Sequence, residues 1–195
     1  MQKKVCVIGL GNIGLPTACA LATFGYSVLG VDIDHQVIDR LQSKHANFLE
    51  PKLQNLLNRA IEQESFKTSI HPASADIYII VVPTFLNSRR QPDLSCIYDA
   101  IDAIKPCLKS QDLVLVESTC PIGTTEEIAR ELRISCPETL VAYCPERVLP
   151  GNILYELIHN DRVVGGVDDL STAHAVSFYR SFVKGEVLAT DARTA

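Results

Sequence analysis

Val5-Cys6-Val7-Ile8-Gly9-Leu10-Gly11-Asn12-Ile13-Gly14 is the stretch on which the fold turns. An apolar run from Lys3 to Ile8, broken only by its two leading lysines, reads as a strand buried on both faces. It enters a G-x-G-x-x-G turn, and a helix follows from Asn12 to Phe24, ended by Gly25. Tyr26 to Asp32 then reads as a second strand, with a carboxylate at its end. Glycine pattern, strand before, helix after and acid about 20 residues on make a dinucleotide-binding unit, whereas the glycines alone would not. Gly9 permits the tight turn, Gly11 admits a pyrophosphate against the backbone, and Gly14 lets helix and strand pack closely. The free N–H groups and dipole of the helix start favour the phosphates. Asp32 is expected to accept hydrogen bonds from the adenosine ribose. Its charge repels a 2′-phosphate and no arginine lies between Ile33 and Val37, so NAD is expected over NADP.

Outward from this unit, short β-branched runs alternate with amphipathic segments. A helix from Asp34 to about Lys44 is capped by Asp34, and another opens at Glu50-Pro51 and runs to about Glu64. Strands are expected at 66–70, 76–82, 113–117, 140–143, 162–167 and 186–189, and helices at 95–108, 123–133 and 170–182. Residues 86–93 read as a polar loop, and the Pro145–Gly151 region as irregular. The alternation predicts an α/β, Rossmann-type doubly wound, mostly parallel sheet with helices on both faces. The expected division is a cofactor-binding domain over 1–189, with 190–195 as the cut-off start of a connecting helix.

Composition narrows the partners. A net charge of −5 and a pI near 5.5, with Lys and Arg scattered, leave no footprint for nucleic acid. No apolar run reaches membrane-spanning length and no leader is evident, so a cytoplasmic protein without membrane contact is expected. Seven cysteines without a C-x-x-C pair read as free thiols in a reducing compartment. The dispersed histidines lack metal-ligand spacing.

Ligands of such sheets bind outside the carboxyl ends of the strands. Val82-Pro83-Thr84, Glu117-Ser118-Thr119 and Cys144-Pro145-Glu146-Arg147 each end a strand. Singly, each is ordinary turn chemistry; three in register point to a cleft.

These segments, with Gly14-Leu15-Pro16 and Pro121-Ile122-Gly123-Thr124-Thr125, resemble the UDP-glucose/GDP-mannose dehydrogenase family in order and spacing. Tyr143 to Gly151 and Asn160 to Gly166 resemble the branch acting on UDP-N-acetylmannosamine; UDP-N-acetylglucosamine and UDP-glucose remain alternatives. The resemblance implies oxidation of a sugar C6 alcohol to a carboxylate by two hydride transfers to NAD, through thioester chemistry on a cysteine. It assigns NAD contacts to Gly9, Gly11, Asn12, Ile13, Gly14, Asp32, Thr84, Ser118 and Thr119. Catalytic roles go to Glu146, assisting thioester hydrolysis, and to Thr119, helping to place a water; Arg147 and Val148 would border the UDP-sugar substrate. The nucleophilic cysteine and a catalytic Lys and Asn would lie beyond Ala195, so this chain alone is expected to bind NAD without turnover, and a non-catalytic NAD-binding module is the other reading. A homodimer is implied for full-length members. Cys120, beside Thr119, reads as a packed thiol. Asn12 and Phe85 stand where the family more often has an aromatic residue and proline.

Overall fold

The computed structural model describes residues 2–45, 51–149 and 151–195. In chain order the elements are β1 (Lys4–Ile8), α1 (Gly14–Thr23), β2 (Ser27–Val31), α2 (His35–Gln42), α3 (Pro51–Glu62), β3 (Phe66–Ser69), β4 (Ile77–Ile80), β5 (Phe85–Leu86) and β6 (Pro92–Asp93). They continue with α4 (Ser95–Ile104), β7 (Leu113–Val116), α5 (Thr124–Ser135), β8 (Leu140–Tyr143), α6 (Ile153–His159), β9 (Arg162–Gly166), α7 (Asp169–Arg180) and β10 (Val187–Asp191). Eight strands form one sheet in the order β10-β9-β8-β7-β4-β1-β2-β3. All neighbours are parallel except β8 and β9.

Period-2 alternation divides the core into two layers. On β1, Val5 and Val7 face a layer with Leu15, Leu57 and Phe178. Cys6 and Ile8 face the opposite layer with Ile97, Ile101, Ile128 and Leu132. Helices therefore cover both faces, which is why β4 and β7 carry uninterrupted apolar residues and are wholly buried. Strand order reverses between β1 and β4, so the crevice above their carboxyl ends is the place for a ligand.

Local chemistry sets the element ends. Asp34 caps α2 by accepting from Gln36 N at 2.8 Å, and Asp168 caps α7 by accepting from Ser171 N at 2.8 Å. The helix from Ser95 stops at Ile104 and tightens into a 3-10 turn over Lys105–Cys107, where Pro106 removes a backbone donor. Glu50 and Pro150 lie outside the described residues. The expected polar loop over 86–93 belongs instead to a small antiparallel hairpin in which Phe85 pairs with Asp93 and Leu86 with Pro92. The irregular region gives way to α6, whose Ile153, Leu154 and Leu157 are buried. Thr190 and Asp191 extend β10 opposite Gly165 and Gly166, two residues past the expected boundary. Glycine is needed there, because a side chain on Gly165 would strike the Asp191 carbonyl.

Candidate functional site

The glycine corner is built as its residue types require. Gly9 has φ of +96°, where L side chains are strained, and a Cβ there would collide with the Val81 carbonyl. A Cβ on Gly14 would collide with the Gly9 carbonyl, so that glycine serves close packing. Around Gly11 a Cβ would meet nothing within 4 Å, because this glycine faces open space. The amides of Gly11, Asn12 and Ile13 have no acceptor among the described residues. Three unpartnered donors at the start of a ten-residue helix suit a diphosphate.

Asp32 anchors this corner. Its Oδ2 accepts from Leu10 N at 2.9 Å and its Oδ1 from Asp34 N at 3.0 Å. Each carboxylate oxygen retains a further lone pair, so the group holds the turn and still has capacity for ribose hydroxyls.

A cavity of about 910 Å³ runs from this corner across the ends of β4, β7 and β8. Gly9, Gly11, Asn12, Ile13 and Asp32 line one end; Thr84, Ser118, Thr119, Glu146 and Val148 line the other reaches. Phe85, well exposed, also lies on the wall. Gly14 and Arg147 do not line it. Gly14 lies behind the turn, and the Arg147 guanidinium donates to the Asp161 carbonyl at 2.7 Å. In this chain Gly14 therefore packs behind the cavity and Arg147 spans to the Asp161 loop. Cys120 is half-buried against Tyr143, Thr124 and Thr125, and burial pushes its thiol up, as befits a packed side chain.

The strand-end residues divide by their bonding. Thr84 Oγ1 is buried without a hydrogen-bond partner among the described residues, a donor and acceptor at the cavity for a polar ligand group. The Ser118 hydroxyl is engaged internally: it accepts from Val82 N at 2.8 Å and lies 2.9 Å from Val82 O. It clasps the end of β4 to the end of β7. Thr119 is exposed at the wall.

Glu146 is no solvated loop residue. Its Oε2 accepts from Arg162 Nη1 at 2.6 Å, with the two side chains 9% and 4% exposed, and its Oε1 accepts from the Arg147 amide at 2.7 Å. Beneath it lies Glu117, which the sequence places at a strand end without marking it as a site residue. Glu117 is buried, accepts from the Tyr179 hydroxyl at 2.7 Å, and forms part of the cavity wall. Desolvation, opposed by Arg162 and reinforced by the charge of Glu146, raises its carboxyl to about 7. Its partners sit 45 and 62 positions away on β9 and α7, so no local pattern announces the group. The only sequence signal is the charge itself, a glutamate directly after the all-apolar run Leu113–Val116.

Residues 3–183 match the profile of the UDP-glucose/GDP-mannose dehydrogenase family, NAD binding domain. A UDP-N-acetyl-D-mannosamine dehydrogenase of Methanocaldococcus jannaschii is 44% identical over 99% of this chain and 46% of its own length. An NDP-N-acetyl-D-galactosaminuronic acid dehydrogenase of Ralstonia nicotianae is 41% identical over 99% of this chain and 48% of its own. Among solved structures, a UDP-N-acetyl-mannosamine dehydrogenase from Staphylococcus aureus superposes with a TM-score of 0.94 at 41% identity, covering 98% of this chain and 48% of that one. The chain spans about half the length of the curated relatives it matches.

Proposed function

Because the chain belongs to the UDP-glucose/GDP-mannose dehydrogenase family as its NAD-binding domain, we propose that it is the cofactor-holding part of an enzyme that oxidises the C6 alcohol of a UDP-sugar to the uronate. Bound NAD supplies the hydride acceptor. The amides of Gly11, Asn12 and Ile13 hold its diphosphate, Asp32 holds the adenosine ribose, and Thr84 and Thr119 meet the remainder of the dinucleotide. Glu146, ion-paired to Arg162, assists thioester hydrolysis at the reacting end by accepting from the attacking water. Val148 borders the sugar nucleotide.

The assigned sugar is UDP-N-acetylmannosamine, supported by relatives of that name; the similar identity of the galactosaminuronate enzyme keeps a related N-acetylated sugar as the second reading. In the same reading the polypeptide by itself binds NAD without turnover, because the family resemblance assigns the nucleophile to none of its seven cysteines. Cytoplasmic residence and homodimerisation of the whole enzyme belong to the same reading. Among the described residues no helix is long and apolar enough to cross a membrane.

The observation that carries this reading is the open cradle at Gly11, three unpartnered amides beside a carboxylate on the same cavity wall. Calorimetric titration tests it. NAD is expected to bind at least about tenfold more tightly than NADP, the difference of about 1.4 kcal/mol that one unfavourable charge contact readily supplies. Equal affinities, or reduction of NAD by this polypeptide with any UDP-sugar, would overturn the corresponding part.

A further inference from the structure

Two carboxyl groups from different strand ends share one buried guanidinium. Arg162 directs Nη1 to Glu146 and Nη2 to the Leu157 carbonyl at 3.2 Å, while its Nε has no acceptor among the described residues. Glu117 takes the Tyr179 hydroxyl on Oε1; its Oε2 is buried without a partner among the described residues. The titratable and charged groups facing Glu117 are Tyr179 from α7, Arg162 from β9, and Glu146 and Cys144 from the chain leaving β8. Cys144 and Tyr179 stay neutral, because burial pushes the thiol up to about 12 and the phenol well above its usual range. Two acids therefore compete for one cation. Glu146 has the direct ion pair; Glu117 does not, and desolvation raises its carboxyl to about 7. With adenosine at Asp32 and diphosphate at Gly11, the far end of the dinucleotide falls at the ends of β7 and β8, where Glu117 and Glu146 form the wall.

We propose that Glu117 senses the oxidation state of the bound nicotinamide, releasing its proton when the cationic oxidised ring occupies this end of the cavity and keeping it beside the neutral reduced ring. The inference rests on the NAD-binding reading above. A positive ring in a poorly screened site stabilises the carboxylate, whereas an uncharged ring does not. The proton lost from the Glu117 carboxyl goes to solvent, so oxidised cofactor binds more tightly as pH rises towards the carboxyl's own midpoint and levels off above it. With that midpoint at about 7, the NAD⁺-to-NADH affinity ratio rises about tenfold between pH 6 and pH 8. His35 and His71 also line the cavity, but at the adenosine end that both forms share.

The test is calorimetry of the unmodified chain with NAD⁺ and with NADH at pH 6 and pH 8, repeated at pH 7 in buffers of different ionisation enthalpy to count protons. The expected result is the rising ratio, net proton release with NAD⁺ alone, and a flat ratio in Glu117→Gln. If both forms bind with a pH-independent ratio, proton sensing is overturned while the cofactor reading stands. If neither form binds, both fall. A Gln variant that keeps the slope overturns the assignment to Glu117. Should that variant not fold, a carboxyl-carbon NMR titration of the unmodified protein decides: a Glu117 midpoint lowered by NAD⁺ but not by NADH supports the proposal, and an unmoved midpoint overturns it.

Discussion

The two ends of the cavity recognise by different means. At the Gly9–Asp32 end the donors are backbone amides, all drawn from one strand–turn–helix unit and pinned by a carboxylate on the adjacent strand. At the Glu117–Glu146 end the groups are side chains from the ends of β7 and β8, held by Arg162 of β9 and Tyr179 of α7. The first is a local device that needs only small residues in the right places. The second is an electrostatic balance assembled from distant segments, and it exists only when the antiparallel β8–β9 edge and α7 are docked.

Removing the cation is the hardest blow to that contrast. Arg162→Met leaves two buried acids without compensation, and the expected loss is about 3–5 kcal/mol of stability, read by urea unfolding at neutral pH. Recovery in an Arg162→Met, Glu146→Leu double variant is expected, since paired apolar residues are tolerated where a lone charge is not. A single variant as stable as the parent would mean that the acids are not held by this arginine.

The glycines sharpen the comparison from the other end. Gly14→Ala forces a methyl against the Gly9 carbonyl and is expected to cost about 1–3 kcal/mol. Gly11→Ala meets no protein atom within 4 Å, so its melting temperature holds while NAD affinity falls by about tenfold or more. Should both variants lose stability alike, Gly11 is packed rather than open.

Ser118 joins the two ends, and its substitution has the smallest expected effect. Ser118→Ala strips the acceptor from Val82 N and should cost about 1–2 kcal/mol of stability. A fall in NAD affinity larger than that stability change explains would return the hydroxyl to the ligand, against its present bonding.

Much of this was readable beforehand, and the reasons differ by element. The strands and helices with clean periodicity fell close to where their patterns place them, as β4 and α2 do, because burial of both faces and a capping aspartate are short-range signals. Helix α6 went unseen: at seven residues, behind a proline- and glycine-rich stretch, it is stabilised by its buried Ile153, Leu154 and Leu157 rather than by its own propensity. Arg147 and Arg162 show the limit of reading neighbours along the chain: it is the distant, buried Arg162 that pairs with Glu146, while the guanidinium of the adjacent Arg147 donates to the Asp161 carbonyl.

The amino-acid order alone determined the doubly wound sheet, the glycine corner and the acid that follows it, because strand period, helix caps and the steric needs of glycine act over a few residues. Only the tertiary structure decided which carboxylates are buried, which arginine lies against them and which hydroxyls remain free for a ligand. Those properties depend on desolvation and on partners brought together from dozens of positions away, and both come into being only when the sheet and its helices close over them.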